Sequence, residues 1–376
     1  MEQNDSVRDW VALSLVPGIG RRTAVLLTDR FESPASCFEA SSGSLESAGL
    51  KRESIDAIKS GEPRARADSE LEELIKLGGK VLVLSDPEYP VLLRETFDPP
   101  VVLYYLGDLP AALARPAIAI VGSRRCSTYG RNAGEMLGRE LAQRGVTIVS
   151  GLARGIDSSA HRGALEGGGL TIGVMGTGLD SVYPKENRRL ADAIAKQGAL
   201  LTEFPLGTPP LSQNFPFRNR VLSGLSLGVV VVEAAERSGS LITARMAYEQ
   251  GRDVFAIPGN ITSSKSFGPN YLIKDGAKLV QTWQDVVEEF PIETRARILS
   301  IEKNGHGEEQ AVIEEVVLSD VERKLLAMIK PDEAIHIDQL IQSSKLSSPD
   351  LMGALLRLEM SDRIRQLPGK CFVRKL

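Results

Sequence analysis

The feature that most constrains this chain is a strict alternation of short apolar runs with helical segments between residues 115 and 285. The runs are AIAIVG (117–122), VTIVSG (146–151), TIGVMG (171–176), ALLTEF (199–204), GVVVVEA (228–234) and DVFAIPG (253–259). Near-continuous apolar runs of this length suit strands buried on both faces of a parallel sheet. Helical patterns at 130–144, 156–165 and 241–250 fall between them. Strand–helix alternation with right-handed crossovers predicts an α/β domain built on a Rossmann-like, doubly wound, mostly parallel sheet.

A chain of 376 residues is long for one domain, and the pattern divides it. Residues 1–65 are expected to be a helical domain of the helix-hairpin-helix or SAM-like kind. Residues 66–290 form the Rossmann-like core, with a strand at 80–84, proline-rich turns, and the sheet proper from about 115. The charged, glycine-containing stretch 291–317 reads as a linker, and 318–376 as a winged helix. In the first domain, Leu15-Val16-Pro17-Gly18-Ile19-Gly20, followed by Ala24 and Leu26-Leu27, looks like a helix–hairpin–helix, with a weaker second copy at 45–58. Its glycines can expose backbone N–H groups to a phosphate, and a packing role is an equal reading. In the last domain, Val321, Leu325, Leu326 and Ile329 make one apolar face and Ile337, Leu340 and Ile341 a second. Ser348-Pro349 opens a third helix carrying Leu351, Leu355, Leu356 and Leu358, and 364–373 would be the wing. The third helix presents Asp350, Arg357 and Glu359, which favours a protein contact over reading of a DNA groove.

Composition excludes several classes. No apolar run reaches the ~18 residues that span a bilayer, and MEQNDSVRDW lacks the basic-then-apolar pattern of a signal peptide. The expectation is a cytoplasmic protein with no membrane partner. Cys37, Cys126 and Cys371 lie far apart, as do the three histidines, so neither a metal site nor any other cofactor is expected. The net charge of −4 does not point to nucleic acid, but its distribution does. Arg115, Arg124, Arg125 and Arg131 lie between Asp108 and Glu135 with no intervening acid, and Arg218 and Arg220 between Glu203 and Glu233 likewise. A basic face suffices, because phosphate contacts are local and screened beyond ~8–10 Å.

In such folds ligands bind beyond the carboxyl ends of the strands. The segments following the six runs are Gly122-Ser123-Arg124-Arg125; Gly151-Leu152-Ala153-Arg154-Gly155-Ile156-Asp157; Gly176-Thr177-Gly178 with Tyr183-Pro184-Lys185-Glu186-Asn187; Phe215-Pro216-Phe217-Arg218-Asn219-Arg220; Glu236-Arg237-Ser238-Gly239-Ser240; and Pro258-Gly259-Asn260. Glycines such as Gly122 and Gly155 let backbone approach a ligand, and helix starts such as that at Ser240 offer N–H groups to anions. Arginine and lysine add charge and bidentate phosphate contacts. Phe215 and Phe217 offer stacking faces for bases or are core residues. Asp157 is most simply a helix cap, His161 a packed histidine, and Ser240 a cap that can also touch phosphate. Arg124 and the Arg218-Asn219-Arg220 cluster have little structural purpose at these positions. No activated nucleophile, Gly-x-x-x-x-Gly-Lys-Ser/Thr loop or tuned acid–base pair is present, so the expectation is binding and not catalysis.

These residues resemble the bacterial DNA-processing protein A family (DprA, also called Smf). The resemblance runs through Val121-Gly122-Ser123-Arg124, Ser150 to Asp157 with Ala160-His161, Gly178-Leu179-Asp180 with Tyr183-Pro184, Phe215 to Arg220 with Ser223-Gly224-Leu225-Ser226, Ser238-Gly239-Ser240 with Thr243-Ala244, and Pro258-Gly259-Asn260. It covers about 80–285. The resemblance implies a dimeric core that binds single-stranded DNA during natural transformation and helps load the RecA recombinase onto it. It assigns DNA contact to Ser123, Arg124, Lys185, Phe217, Arg218, Asn219 and Arg220. The alternative is a Rossmann-like nucleotide phosphoribohydrolase. That group's Pro-Gly-Gly-x-Gly-Thr-x-x-Glu would fall at 236–243, where the Pro-Gly-Gly is absent and Thr243 stands in place of the glutamate.

Overall fold

All six apolar runs are strands of one nine-stranded sheet. The computed structural model describes residues 2–305, 318–361 and 363–375. In chain order the strands are β1 (Lys80–Val83), β2 (Val102–Gly107), β3 (Ala117–Val121), β4 (Thr147–Ser150), β5 (Thr171–Val174), β6 (Gly198–Thr202), β7 (Gly228–Val231), β8 (Asp253–Ala256) and β9 (Lys278–Leu279). Across the sheet they lie in the order β1-β2-β6-β5-β4-β3-β7-β8-β9. All neighbours from β6 to β9 are parallel, while β1–β2 and β2–β6 are antiparallel. β2 lies where proline-rich turns were expected. Pro99 and Pro100 precede it, but its first four residues are buried between β1 and β6.

The order of the strands decides where a ligand can sit. The chain builds outward from β3 through β4, β5 and β6, then returns to lay β7, β8 and β9 on the other side. β3 and β7 therefore flank the switch point, where loops leaving neighbouring strands diverge and leave a crevice. Val121 is level with Val231, and the Ser123 amide donates to the Glu233 carbonyl at 2.7 Å. The two loops thus start side by side.

The period-2 alternation of a strand divides its side chains between the two helical layers. Ile118 and Ile120 enter one apolar cluster with Leu137, Leu141 and Ile156, while Ala117, Ala119 and Val121 enter the other with Val221, Leu222 and Ala244. Val230 and Val229 divide in the same way. A strand buried on both faces has no room for polar alternation, which explains the uninterrupted AIAIV and GVVV runs.

Helices from Glu2 to Lys76 make the N-terminal unit. Its last helix, Glu62–Lys76, crosses the expected boundary at 65/66 and is tied back by a bidentate Arg64–Asp9 pair at 2.8 and 2.9 Å. The C-terminal unit has helices Asp320–Met328, Ile337–Ser344 and Ser348–Met360 beside a three-stranded sheet, β10 (Ile335–His336), β11 (Ile364–Leu367) and β12 (Cys371–Arg374). This is the expected winged helix, with β11–β12 as the wing. It docks on the Thr128–Gln143 helix, where Arg365 pairs with Glu135 and Asn132 donates to the Pro331 carbonyl at 2.7 Å. The first half of the expected linker is helical (Ile292–Gly305), and 306–317 lie outside the described residues. Among the described residues no helix is long and apolar enough to cross a membrane.

Candidate nucleic-acid interface

A cleft of about 600 Å³ opens at the carboxyl ends of β3 and β7. Gly122, Ser123 and Arg124 form one wall, Ser238, Gly239 and Ser240 another, and Phe215, Arg218 and Asn219 the floor and far side. A smaller cleft, between Arg124, Arg154, Tyr183 and Phe215, adjoins it.

The first wall is held rigidly. The Ser123 carbonyl accepts the Ile156 amide at 3.3 Å, and its hydroxyl accepts the Arg125 amide at 3.2 Å. Gly155 makes this approach possible, because its φ is +76° and a Cβ there would lie 2.2 Å from the Ser123 carbonyl oxygen. The locked backbone aims Arg124 outward. Its side chain is exposed, with the guanidinium 5.4 Å from the centre of the Phe215 ring. Phe215 also meets Tyr183 at 5.7 Å in a tilted pair, so two aromatic rings and one outward guanidinium share the rim.

Arg218 contributes differently from expectation. It is 4% exposed, and Nη1 donates to the Gly151 carbonyl and, at 2.8 Å, to the Val174 carbonyl. It therefore ties the ends of β4 and β5 together beneath the cleft. Burial pulls its pKa below the ordinary arginine value, against the opposing pull of the buried Asp157. Gly151 lies between the two groups, and a Cβ there would be 2.0 Å from Arg218 Nη1 and 2.6 Å from Asp157 Oδ2. Burial raises the Asp157 carboxyl pKa, while Arg218 lowers it. Asp157 is not a helix cap. Gly155 holds that position, and Asp157 accepts the Ala153 amide of the preceding loop at 3.3 Å.

Arg220 requires a correction. It is buried away from the cleft, paired with Glu203 and donating to the Asp98 carbonyl at 2.6 Å, so its charge is met within the protein. Phe217 is not core, being 45% exposed, with the Arg21 guanidinium 4.6 Å above its ring. Lys185 is exposed on the short turn Lys185–Asn187, next to the smaller cleft but not lining it. Ser240 is buried and lines the larger cleft, but Ser238 is the cap of the Gly239–Glu249 helix. His161 is fully packed, with Nδ1 2.7 Å from the Thr171 hydroxyl and its pKa pushed down to about 3, chiefly by burial. Arg237 and Lys265 also line the cleft. Lys265 stands outside any recognisable motif, and only the loop's return to the Ala234 amide brings it there.

Residues 80–291 match the family described as DNA recombination-mediator protein A, and 311–370 match the DprA winged helix domain. The chain belongs to the DprA family. Its relatives include Protein Smf of Escherichia coli, 44% identical over 77% of this chain and 76% of that protein. The DNA processing protein DprA of Streptococcus pneumoniae is 51% identical over 54% of this chain and 72% of that protein. The X-ray structure of the S. pneumoniae protein superposes with a TM-score of 0.66 at 39% identity, covering 76% of this chain and 96% of that one. A DprA structure from Helicobacter pylori, described for its single-stranded DNA binding mode, gives 0.51 at 31% identity over 60% of this chain and 96% of that one. The fold thus places the outward Arg124, the Phe215–Tyr183 pair and the Gly122–Arg124 and Ser238–Ser240 loops on one rim. Lys185 lies on an adjoining turn, and Arg218 lies beneath the rim.

Proposed function

We propose that this DprA-family protein binds single-stranded DNA in the switch-point cleft and acts as a non-catalytic recombination mediator. In this reading it protects incoming DNA during natural transformation and helps load RecA, working as a cytoplasmic homodimer. The observation that carries it is the pairing of Arg124 with Phe215 at the mouth of the cleft. Exposed charge meets phosphates non-specifically, while an aromatic face accepts any base, and a single strand offers both together. A duplex hides its base faces, so the same surface discriminates against it. The H. pylori relative supports the choice of ligand. At the position where a hydrolase would need a carboxylate, Thr243 is buried and its hydroxyl bonds the Gly239 carbonyl, which supports binding without turnover.

The test is a gel shift of the full-length protein with single- and double-stranded oligonucleotides at two salt concentrations. Preference for the single strand, weakening with salt, is expected. Equal or stronger duplex binding would overturn the assignment. Release of free base from a nucleoside monophosphate would overturn the absence of catalysis.

A further inference from the structure

Phe97 is the most exposed phenylalanine of the core domain, 79% accessible, yet it is not bare. The Arg22 guanidinium, from the N-terminal unit, lies 3.8 Å from its ring centre, which is van der Waals stacking distance. The neighbouring Arg21 repeats the arrangement above the half-exposed Phe217. The two pairs are joined through charge. Arg21 Nε donates to Glu203 at 2.6 Å and its Nη1 is 3.7 Å from Asp98, while Arg220 meets both of those acids. Two guanidiniums thus meet two carboxylates, and the exposed Arg22, which has no part in those pairs, carries the surplus positive charge beside them. Beside them lies a cleft of about 300 Å³ lined by Gly20, Arg21, Val101, Glu203 and Phe204.

We propose that the strand-binding surface continues beyond the switch-point cleft, across Phe217 and Arg21, to a second stacking platform made by Phe97 and Arg22. This rests on the single-strand reading above and extends it, because it gives the N-terminal unit nucleotide subsites of its own. Continuity argues for a polynucleotide as the occupant. Phe217 itself does not line the cleft, but it follows Pro216, which is exposed at the start of the Asn214–Gly224 helix and does line it, and Arg21 and Asp98 connect Phe217 to the next pair. The chemistry argues for it too. A guanidinium laid on a ring presents its outer plane to a base and its in-plane N–H groups to phosphate. An apolar protein partner would be better served by an uncovered ring, since docking there would bury a charge without a counter-ion.

The experiment measures fluorescence anisotropy of full-length protein with oligothymidylates of about 6 and about 18 nucleotides, one within and one beyond the ~4–16 nucleotides that a single-strand groove covers. The Arg22→Ala/Phe97→Ala double variant should bind the long strand roughly 5- to 150-fold more weakly, the loss of one stacked base, and the short strand like the parent. Arg22→Lys, which keeps the charge and removes the plane, should lose affinity for the long strand with an unchanged salt slope. Unchanged binding of the long strand by the double variant, with its thermal midpoint preserved, overturns the proposal, as does an equal loss at both lengths. Arg124→Ala separates the two ideas. It should weaken both lengths, and no effect on either would refute the cleft reading while the platform is still decided by the long strand.

Discussion

Replacing Arg124 by alanine tests the assigned interface most directly. The side chain is exposed at the rim, and among the described residues no carboxylate lies within ion-pair distance of it. Its removal therefore leaves no buried charge unpaired, and the fold should be unaffected. A charged hydrogen bond to phosphate contributes about 1.5–3 kcal/mol, and exposure to screening solvent argues for the lower end. The expected loss is about tenfold in single-strand affinity. Each phosphate contact on a single strand adds ~0.7 to the slope of log affinity against log salt, so the variant's slope should be shallower by that amount. Between about 50 and 200 mM salt, the deficit should shrink by roughly 2.5-fold. Anisotropy titrations with thymidylate and mixed-sequence strands read both quantities, and the deficit should not depend on sequence. A deficit that is constant with salt, or confined to particular bases, would refute phosphate contact by Arg124.

Other substitutions separate roles that the chain places within a few residues. Phe217→Ala should weaken single-strand binding by about 1–3 kcal/mol with an unchanged salt slope, since stacking releases no counter-ions; a change only in denaturation midpoint would make Phe217 structural. Arg220→Ala should destabilise the fold by about 3 kcal/mol in urea titrations, because Glu203 stays buried with only Arg21 beside it, while the folded fraction binds DNA like the parent. His161 has a native pKa of about 3 against an ordinary 6.5, so its stabilisation is complete above 6.5 and is lost as pH falls. From 6.5 to about pH 5 the parent should lose about 2 kcal/mol more stability than His161→Gln. Asp157 acts in the opposite direction, because a raised carboxyl pKa favours the native state on protonation, and the comparison with His161→Gln removes its contribution.

Much of the core was legible because its signals are local. The apolar runs at 117–122 and 228–234 reveal strands buried on both faces, and parallel connectivity puts the segments after them on one edge. Gly122, Ser123, Arg124 and Ser240 line that crevice as expected from this polarity alone. β2 is obscured in the sequence by Pro99 and Pro100, although VLYYLG is itself as apolar as the six runs that follow it. Phe215 and Phe217 stayed ambiguous, because two rings a residue apart on a helix give no period from which to choose between core and surface. Lys265 carried no signal, since a loop's path across a cleft depends on the backbone bond that returns it to Ala234.

The three arginines mark the boundary between what the sequence determined and what the tertiary structure decided. Composition and order alone put Arg124, Arg218 and Arg220 at or near the carboxyl edge of a parallel sheet, because strand polarity and loop order are properties of the chain. Which of them keeps its charge available depended on partners that no periodicity relates to them. Arg124 remains outward, Arg218 is drawn inward by the ends of β4 and β5 and by Asp157, and Arg220 is neutralised by Glu203 and Asp98. Asp98 is 122 residues from Arg220 in sequence and in ion-pair contact with it in space. Electrostatic energy depends on distance and burial, and only the folded chain sets either.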